Sequence, residues 1–362
     1  MLLYQRRQFV RNCAAGALLA RGSCTGAHAA ELAKIRYGFA NKAVLPLIAD
    51  LLIPEYLGWY KEEGLTFEAV PLGTSGTALA ALTDKRIEFA TNVAAFQIPI
   101  VAKGEVFPAV DFFEFTYPFK YGVAVKPGSS VHGLADLKGK RVGVPNIGNQ
   151  DFAVGQQVFK AAGLDPANDI SWVAVGEGGA ARIAFDRNDI DALFTFDVNF
   201  GEIEATGMKL DYVKLPPGIP MIGGVFMSAT PEMLKQHRDW AVGLGRSVAK
   251  AHIFIQENPE AAAYIYAKMF PQAGKSIEEQ TKAVLVPINK RKALYKNYDP
   301  SVTQAGFISK AEWQEEVRFA GLQDKVKDVS GLFTNDLIAD INKFDAEAVR
   351  KQARDFKLPW NN

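Results

Sequence analysis

The chain has 362 residues, of which 48% are hydrophobic, 41 are Lys or Arg and 40 are Asp or Glu, so its formal net charge is only +1. A balanced charge of this kind argues against nucleic acid as a partner. The length exceeds what one hydrophobic core comfortably holds, so we expect two lobes.

Residues 1–29 are predicted to be an export signal of the twin-arginine type. Arg6 and Arg7 precede a short apolar stretch over residues 14–20, and the small-x-small pattern of residues 27–29 suits cleavage after residue 29 or 30. Cleavage after residue 29 removes four arginines and no acid, which leaves 37 basic and 40 acidic residues and a formal charge of −3. Export predicts a periplasmic location.

Both cysteines of the chain, Cys13 and Cys24, lie inside this leader. The mature chain therefore has no disulfide, thiol nucleophile or cysteine metal ligand. Its three histidines are scattered, so we predict no metal site. A lipid anchor on Cys24 stays an alternative, although Arg21 stands where a lipoprotein cleavage box has an apolar residue.

Strands and helices alternate regularly through the first block of the mature chain. Hydrophobic periodicity predicts strands over 35–40, 65–70 and 87–91, and helices over 45–59, 76–85 and 94–103. Such alternation predicts a mostly parallel sheet covered by helices.

The same alternation restarts in a second block, and a helical region follows it. The predicted strands are 141–144, 170–175 and 191–196, and the predicted helices are 151–162, 180–187, 232–256, 259–269, 310–320 and 335–356. Two stretches, 115–125 and 215–227, separate the blocks. We therefore predict an α/β protein of two parallel-sheet lobes joined by two crossovers, with residues 30–118 and 225–362 in lobe I and residues 119–224 in lobe II.

Four small polar turns follow predicted strands and lead into helices, two in each block. Their glycines let a ligand approach the backbone, and their serine, threonine and asparagine side chains cap helices and offer donors. Parallel sheets bind ligands beyond the carboxyl ends of their strands, so the set of four predicts a site between the blocks. A single turn of this kind is more often only a helix cap.

Several motifs resemble the ABC-transporter substrate-binding proteins of the nitrate, sulfonate, taurine and thiamine-precursor type. In the second block these are LADLKGKRVGV at residues 134–144 and GLDP at 163–166, and in the first block YKEEGL at 60–65 and DKRIEF at 84–89. The likeness covers about residues 33–260. It implies a type II periplasmic-binding fold, a small-molecule ligand held between the lobes, and an ABC permease with its ATPase as partners.

The resemblance also implies where the ligand contacts lie, at the end of the first strand and at the four turns. In this sequence those positions are Asn41, Ser75, Gly76, Asn92, Asn149, Gln150 and Gly178. Many members carry a Trp-x-Pro phrase after the last strand of the second block, whereas this chain reads FDVNF at residues 196–200. This departure weakens assignment to the sulfonate or nitrate branch. Asp197 follows that strand and is predicted to lie at the cleft mouth, where its carboxylate contacts the ligand.

We expect a monomeric binding protein without a cofactor, because no nucleophile, base and orienting group occur together. Residues 176–181 match a dinucleotide fingerprint loosely, but that pattern is common. An enzyme like thiamine-pyrimidine synthases on the same fold stays as the alternative. Aromatic residues near the predicted cleft favour a planar ligand, either a nitrogen heterocycle or an aromatic carboxylate, with sulfonate or nitrate as alternatives.

Overall fold

Ten strands lie in the part of the chain that the computed structural model describes, which is residues 31–117, 120–215, 219 and 223–360. The export signal predicted for residues 1–29 lies outside these residues. The strands are β1 (Ala33–Phe39), β2 (Leu65–Pro71), β3 (Phe89–Asn92), β4 (Val110–Thr116), β5 (Tyr121–Val125), β6 (Lys140–Val144), β7 (Ile170–Ala174), β8 (Ala192–Phe196), β9 (Asp211–Val213) and β10 (Val225–Ala229).

These strands form two sheets of five. The first sheet has the order β2-β1-β3-β10-β4 and the second the order β7-β6-β8-β5-β9. In the first sheet β10 runs antiparallel to β3 and β4, and in the second β5 runs antiparallel to β8 and β9. The predicted α/β architecture of two sheet lobes is confirmed, with one correction: each sheet is mixed and not wholly parallel.

The two antiparallel strands are those that the chain enters from the other sheet. The chain passes from β4 to β5 and returns from β9 to β10. A parallel neighbour needs a helical crossover that carries the chain back to the starting edge, and the described residues of the two passages contain no helix. The first passage falls inside the crossover predicted over 115–125, and the second begins one residue before the crossover predicted over 215–227; both predicted stretches also contain strand residues. The exact lobe boundaries stay a prediction.

Helices cover both sheets and form a C-terminal layer. They are α1 (Ala49–Leu57), α2 (Trp59–Glu62), α3 (Ser75–Thr83), α4 (Ala94–Val101), α5 (Gln150–Ala161), α6 (Gly179–Asp186), α7 (Asp197–Ala205), α8 (Pro231–Gln236), α9 (Arg238–Glu257), α10 (Pro259–Met269), α11 (Ile277–Lys292), α12 (Lys310–Phe319), α13 (Ile338–Ile341) and α14 (Ala346–Asp355), with 3-10 turns at Pro46–Ile48 and Leu134–Leu137.

Two helices predicted as single elements are each divided. The segment 232–256 breaks at His237, whose backbone angles of φ −132° and ψ 50° are not helical. The segment 335–356 breaks before α14, where the Asp345 side chain accepts hydrogen bonds from the backbone N–H groups of Glu347 and Ala348, both at 3.0 Å. In the described part of the chain, no helix combines the length and the apolar character that crossing a bilayer requires.

Candidate functional site

A cavity lies between the two sheets, beyond the carboxyl ends of β1, β3 and β8 and at the start of α5. We call it the inner cavity. It is lined by Phe39, Ala40, Asn41, Leu47, Thr91, Phe115, Lys120, Asn149, Gln150, Asp151, Phe196, Val225 and Arg291. Its volume is about 30 Å³, which is enough for one water molecule and far below the size of a usual ligand pocket.

Three phenylalanines form the apolar walls of the inner cavity. Phe39 and Phe115 come from the first sheet and Phe196 comes from the end of β8. The other aromatic side chains that the sequence places near the cleft lie elsewhere: Phe194 and Phe200 are buried in the second sheet's core, and Phe96 packs edge-on against Phe107. The inner cavity therefore has apolar faces supplied by both sheets.

Three charged side chains are buried at the inner cavity. Lys120 is 6% exposed, Asp151 is 2% exposed and Arg291 is 3% exposed. Burial, followed by the nearby Arg291 charge, lowers the pKa of Lys120 to about 7. Burial raises the pKa of Asp151 to about 7, while the Lys120 charge opposes the rise. Both groups therefore lie close to the point where their charge changes at neutral pH.

Two oxygens at the start of α5 lack hydrogen-bond partners within the described structure. They are Oδ1 of Asp151 and Oδ1 of Asn149, and both are inaccessible to bulk solvent. Lys120 Nζ makes one long hydrogen bond, to the carbonyl oxygen of Gly223 at 3.5 Å. Buried polar groups are normally paired, so this side of the inner cavity has unused hydrogen-bonding capacity.

Asp197 does not present a free carboxylate to the inner cavity. Arg291 Nε donates to Asp197 Oδ2 and Arg291 Nη2 donates to Oδ1, both at 2.7 Å, in a bidentate ion pair. Arg291 belongs to α11, so this pair joins the start of α7 to the C-terminal helices. The Asp197 negative charge is balanced inside the protein.

The structure places three of the predicted contact residues, Asn41, Asn149 and Gln150, at the inner cavity. Asn41 Nδ2 also donates to Glu177 Oε1 at 2.6 Å, which links the end of β1 to the loop before α6. Their role as ligand contacts stays a prediction.

The other predicted contact residues lie outside the inner cavity. Ser75 and Asn92 line a separate space of about 10 Å³ inside the first sheet's layer. Asn92 Nδ2 donates to buried Asp111 at 3.2 Å, whereas Gly76 lies within the first turn of α3 and lines none of these spaces. The backbone N–H of Gly178 donates to Asn199 Oδ1 at 2.5 Å.

A second, larger cavity of about 460 Å³, which we call the outer cavity, has Glu177 of the Asn41–Glu177 hydrogen bond in its lining. It is lined by Val44, Leu45, Pro46, Glu177, Gly178, Gly179, Glu202, Ala205, Thr206, Tyr266, Gln272, Lys275, Gln280, Ala283, Val284 and Pro287. Burial, and then the charge of Glu177, raises the pKa of Glu202 to about 8. The volume of the outer cavity falls in the range of small-molecule pockets.

Sequence reasoning missed the three buried charges of the inner cavity. Lys120 lies in the first passage between the sheets, Asp151 directly follows the predicted contacts Asn149 and Gln150, and Arg291 lies in the unpredicted helix α11. A signal for α11 was present, because Ser276 and Glu279 form a reciprocal capping box at its start. Nothing in the local sequence shows that Arg291 reaches the second sheet.

A protein-family model described as "NMT1/THI5 like" matches residues 46–262, which is more than half of the chain. The chain belongs to the NMT1/THI5-like family. A search of curated proteins gave no match.

Solved structures similar to this NMT1/THI5-like protein have its fold at low sequence identity. The alkanesulfonate-binding protein SsuA from Xanthomonas axonopodis pv. citri, bound to MOPS, is 17% identical with a TM-score of 0.60, covering 86% of this chain and 99% of that chain. The periplasmic nitrate-binding protein NrtA from Synechocystis PCC 6803 is 16% identical with a TM-score of 0.61, covering 91% and 99%. These likenesses confirm the periplasmic-binding-protein fold.

The desulfurization enzyme DSZB also has this fold, at 14% identity and a TM-score of 0.54, covering 85% of this chain and 98% of that chain. The fold therefore carries catalysis in at least one protein. The family and the similar structures are mainly binding proteins, which agrees with the sequence-based expectation that this chain is not an enzyme.

Proposed function

We propose that this NMT1/THI5-like protein is the periplasmic solute-binding component of an ABC importer. It binds a small planar organic molecule, either a nitrogen heterocycle or an aromatic carboxylate, between its two sheets. It then delivers this solute, as a monomer, to a membrane permease driven by an ATPase. SsuA and NrtA are named for the solutes they bind, which supports a solute-binding role here.

The observation that carries the proposal is the composition of the inner cavity. The first sheet contributes Phe39, Asn41 and Phe115, and the second contributes Phe196 and the start of α5. Because each sheet supplies only part of the wall, a solute held there contacts both. Such a site couples binding to the relative position of the sheets, which a transporter can sense.

The size of the inner cavity implies that the sheets separate before a solute enters. A space of about 30 Å³ holds about one water molecule, whereas small organic solutes occupy pockets about ten times larger. The structure therefore corresponds to a closed form, and solute entry requires the Asn41–Glu177 hydrogen bond to break.

Of the two proposed solute classes, formal charge at the inner cavity favours the uncharged nitrogen heterocycle over the aromatic carboxylate, and it also disfavours nitrate or a sulfonate. Lys120 and Arg291 face Asp151 and Asp197, so two cations meet two carboxylates. Arg291 is already engaged at 2.7 Å by Asp197 and offers little to an added anion. An anion would also approach the unpartnered oxygen of Asp151.

A thermal-shift screen of the mature protein, from residue 30, tests the proposal with planar heterocycles, aromatic carboxylates, sulfonates and nitrate. A true solute at one hundred times its Kd adds about 2.7 kcal/mol to the free energy of unfolding. Phe39→Leu, at the cavity wall, should reduce this stabilisation, measured against the variant's own melting temperature. Phe89→Leu is the matched control, since Phe89 is buried in the same sheet away from the cavity.

Two results would contradict the proposed function. The first is a screen in which no compound of any charge class stabilises the protein. The second is recovery of chemically altered solute after long incubation, which would favour an enzyme on this fold.

A further inference from the structure

The unpaired atoms of the inner cavity define what a solute must offer. Asp151 Oδ1 and Asn149 Oδ1 are acceptors without donors in the described structure, so a solute must supply N–H or O–H groups to them. In its charged form Lys120 has three N–H donors, and it makes one long hydrogen bond, to Gly223, so a solute that offers an acceptor pairs with it. The three side chains therefore require donors and an acceptor from one molecule.

These groups are too deeply buried to be satisfied by bulk water. Asp151 is 2% exposed and Lys120 is 6% exposed. Leaving a buried donor or acceptor unpaired destabilises the protein, so a molecule that pairs with all three side chains gains binding free energy. The phenylalanines around them form flat apolar walls, which suit a planar molecule.

We propose that the solute presents an amide-type edge to this site, with its carbonyl oxygen accepting from Lys120 and its N–H groups donating to Asp151 and Asn149. The class comprises carboxamides, lactams and cyclic ureas. This inference rests on the proposed function and names its solute class.

A solute edge that carries a single charge pairs less well with Asp151 Oδ1, Asn149 Oδ1 and Lys120 Nζ. A carboxylate satisfies Lys120 but has no N–H for Asn149 Oδ1 and faces the oxygen of Asp151. An amidinium satisfies the two oxygens but places its charge beside Lys120 and near Arg291, which already lowers the pKa of Lys120. A neutral amide has both kinds of group side by side.

A single water molecule is the competing occupant. The cavity of about 30 Å³ can hold one, and a water molecule can donate to both oxygens and accept from Lys120. A site that serves only to hold this water molecule would bind an amide no more tightly than a carboxylate or an amidinium. Selectivity for the amide therefore distinguishes a solute site from a water site.

The test uses three planar probes of nearly the same shape, namely benzamide, benzoate and benzamidine, titrated into the mature protein and followed by protein-observed NMR. We expect benzamide to bind about tenfold or more tightly than the other two, since one hydrogen bond to a charged group changes affinity by that factor. Tighter or equal binding of benzoate or benzamidine would overturn the inference.

Variants of Lys120 and Asp151 test whether these side chains are responsible for the preference for benzamide. Lys120→Met and Asp151→Leu should each weaken benzamide binding about tenfold, whereas Asp151→Asn, which keeps an acceptor oxygen, should lose less. Lys140→Met and Asp189→Leu are the controls, because they make the same changes at exposed positions of the second sheet's layer. Folded variants at 120 and 151 that bind benzamide normally would show that the atoms serve only water and would overturn the inference.

The outcome separates this inference from the proposed function. If benzamide fails while another compound in the thermal-shift screen binds in a Phe39-dependent way, the solute class is wrong and the function stands. If neither the probes nor the screen detects binding, both are wrong.

Discussion

At the scale of single residues, Arg291 and Asp197 form the most deeply buried ion pair joining the C-terminal helices to the second sheet's layer. The side chains are 3% and 11% exposed, and the guanidinium holds both carboxylate oxygens at 2.7 Å. A carboxylate engaged at both oxygens has limited capacity left for a solute. The geometry therefore favours a structural role for Asp197, in place of the solute contact that the sequence predicts.

The Asp197→Asn variant should lower the free energy of unfolding by about 3 kcal/mol, because it leaves the buried Arg291 charge without its counter-charge. Urea unfolding at pH 7 measures this. Asp191→Asn is a matched control: Asp191 makes the same bidentate contact with Arg141, but the side chains are 33% and 43% exposed, and its loss should cost less than about 1 kcal/mol. Equal losses in the two variants would show that the Asp197 pair is not energetically buried.

At the scale of elements, α12 packs two glutamates against the strand β4. Glu312 and Glu316 face Glu114, and all three are at most 2% exposed. Burial, followed by the neighbouring carboxylates, raises the pKa of Glu114 well above its usual value and that of Glu312 to about 8. Glu316 accepts a hydrogen bond from Gly223 N–H at 2.5 Å, and burial raises its pKa to about 7, while the Lys120 charge opposes the rise.

The contact between Glu114, Glu312 and Glu316 should lower the free energy of unfolding as the pH rises from 5 to about 7.5. The folded-state pKa values lie above the unfolded ones, so the folded protein binds more protons in this window and its stability is lost as these carboxyls ionise. Buried Lys120, whose pKa is lowered to about 7, acts in the opposite direction from about pH 6 upward and offsets part of this loss in the upper part of the window.

Thermal unfolding between pH 5 and 9 measures the effect. Glu114→Gln imitates the protonated side chain, so its melting temperature should fall less over the same range. Glu105→Gln, at an exposed position, should keep the wild-type slope. A wild-type melting temperature that rises from pH 5 to 7.5 would contradict the assignment.

Sequence patterns located the elements with clear periodicity and missed those that are buried on most sides. The strands β1 and β2 and the helices α5 and α10 lie within two residues of their predicted bounds. Helix α7 was missed because Val198, Asn199, Phe200, Gly201 and Ile203 are all buried, which leaves no polar face to show a period.

The inner cavity was only partly predictable for a related reason. Turn chemistry pointed to Asn149 and Gln150, because small polar turns at strand ends have a local signature. Asn41 was predicted only from the family resemblance, which places a contact at the end of the first strand. Lys120 and Arg291 have none, since most lysines and arginines are exposed and only the tertiary packing buries these two.

At the scale of the whole molecule, α11 is a further connection between the two sheets besides the chain passages. It packs against α10 and α9 on one side and against α7 on the other. The approach to α7 is so close that a Cβ atom at Gly201 would lie 2.5 Å from the Cα of Pro287. Lys290 Nζ adds an ion pair to Glu204 at 2.9 Å and a hydrogen bond to the Tyr212 hydroxyl at 2.8 Å.

Separation of the sheets for solute entry therefore has to displace α11 from α7, unless α11 moves with the second sheet. Lys290→Met should favour the open form, because it removes two contacts that exist only while α11 lies on the second sheet's layer. A partly exposed ion pair contributes about 0.2–1 kcal/mol, so the ratio of open to closed molecules should rise by a factor of up to about five. Small-angle scattering without solute should then show a larger radius of gyration than for the wild type. Lys282→Met is the control, since Lys282 pairs with Glu278 inside the same helix and does not reach α7. Equal radii for all three proteins would mean that α11 travels with the second sheet and that the bending occurs between α10 and α11.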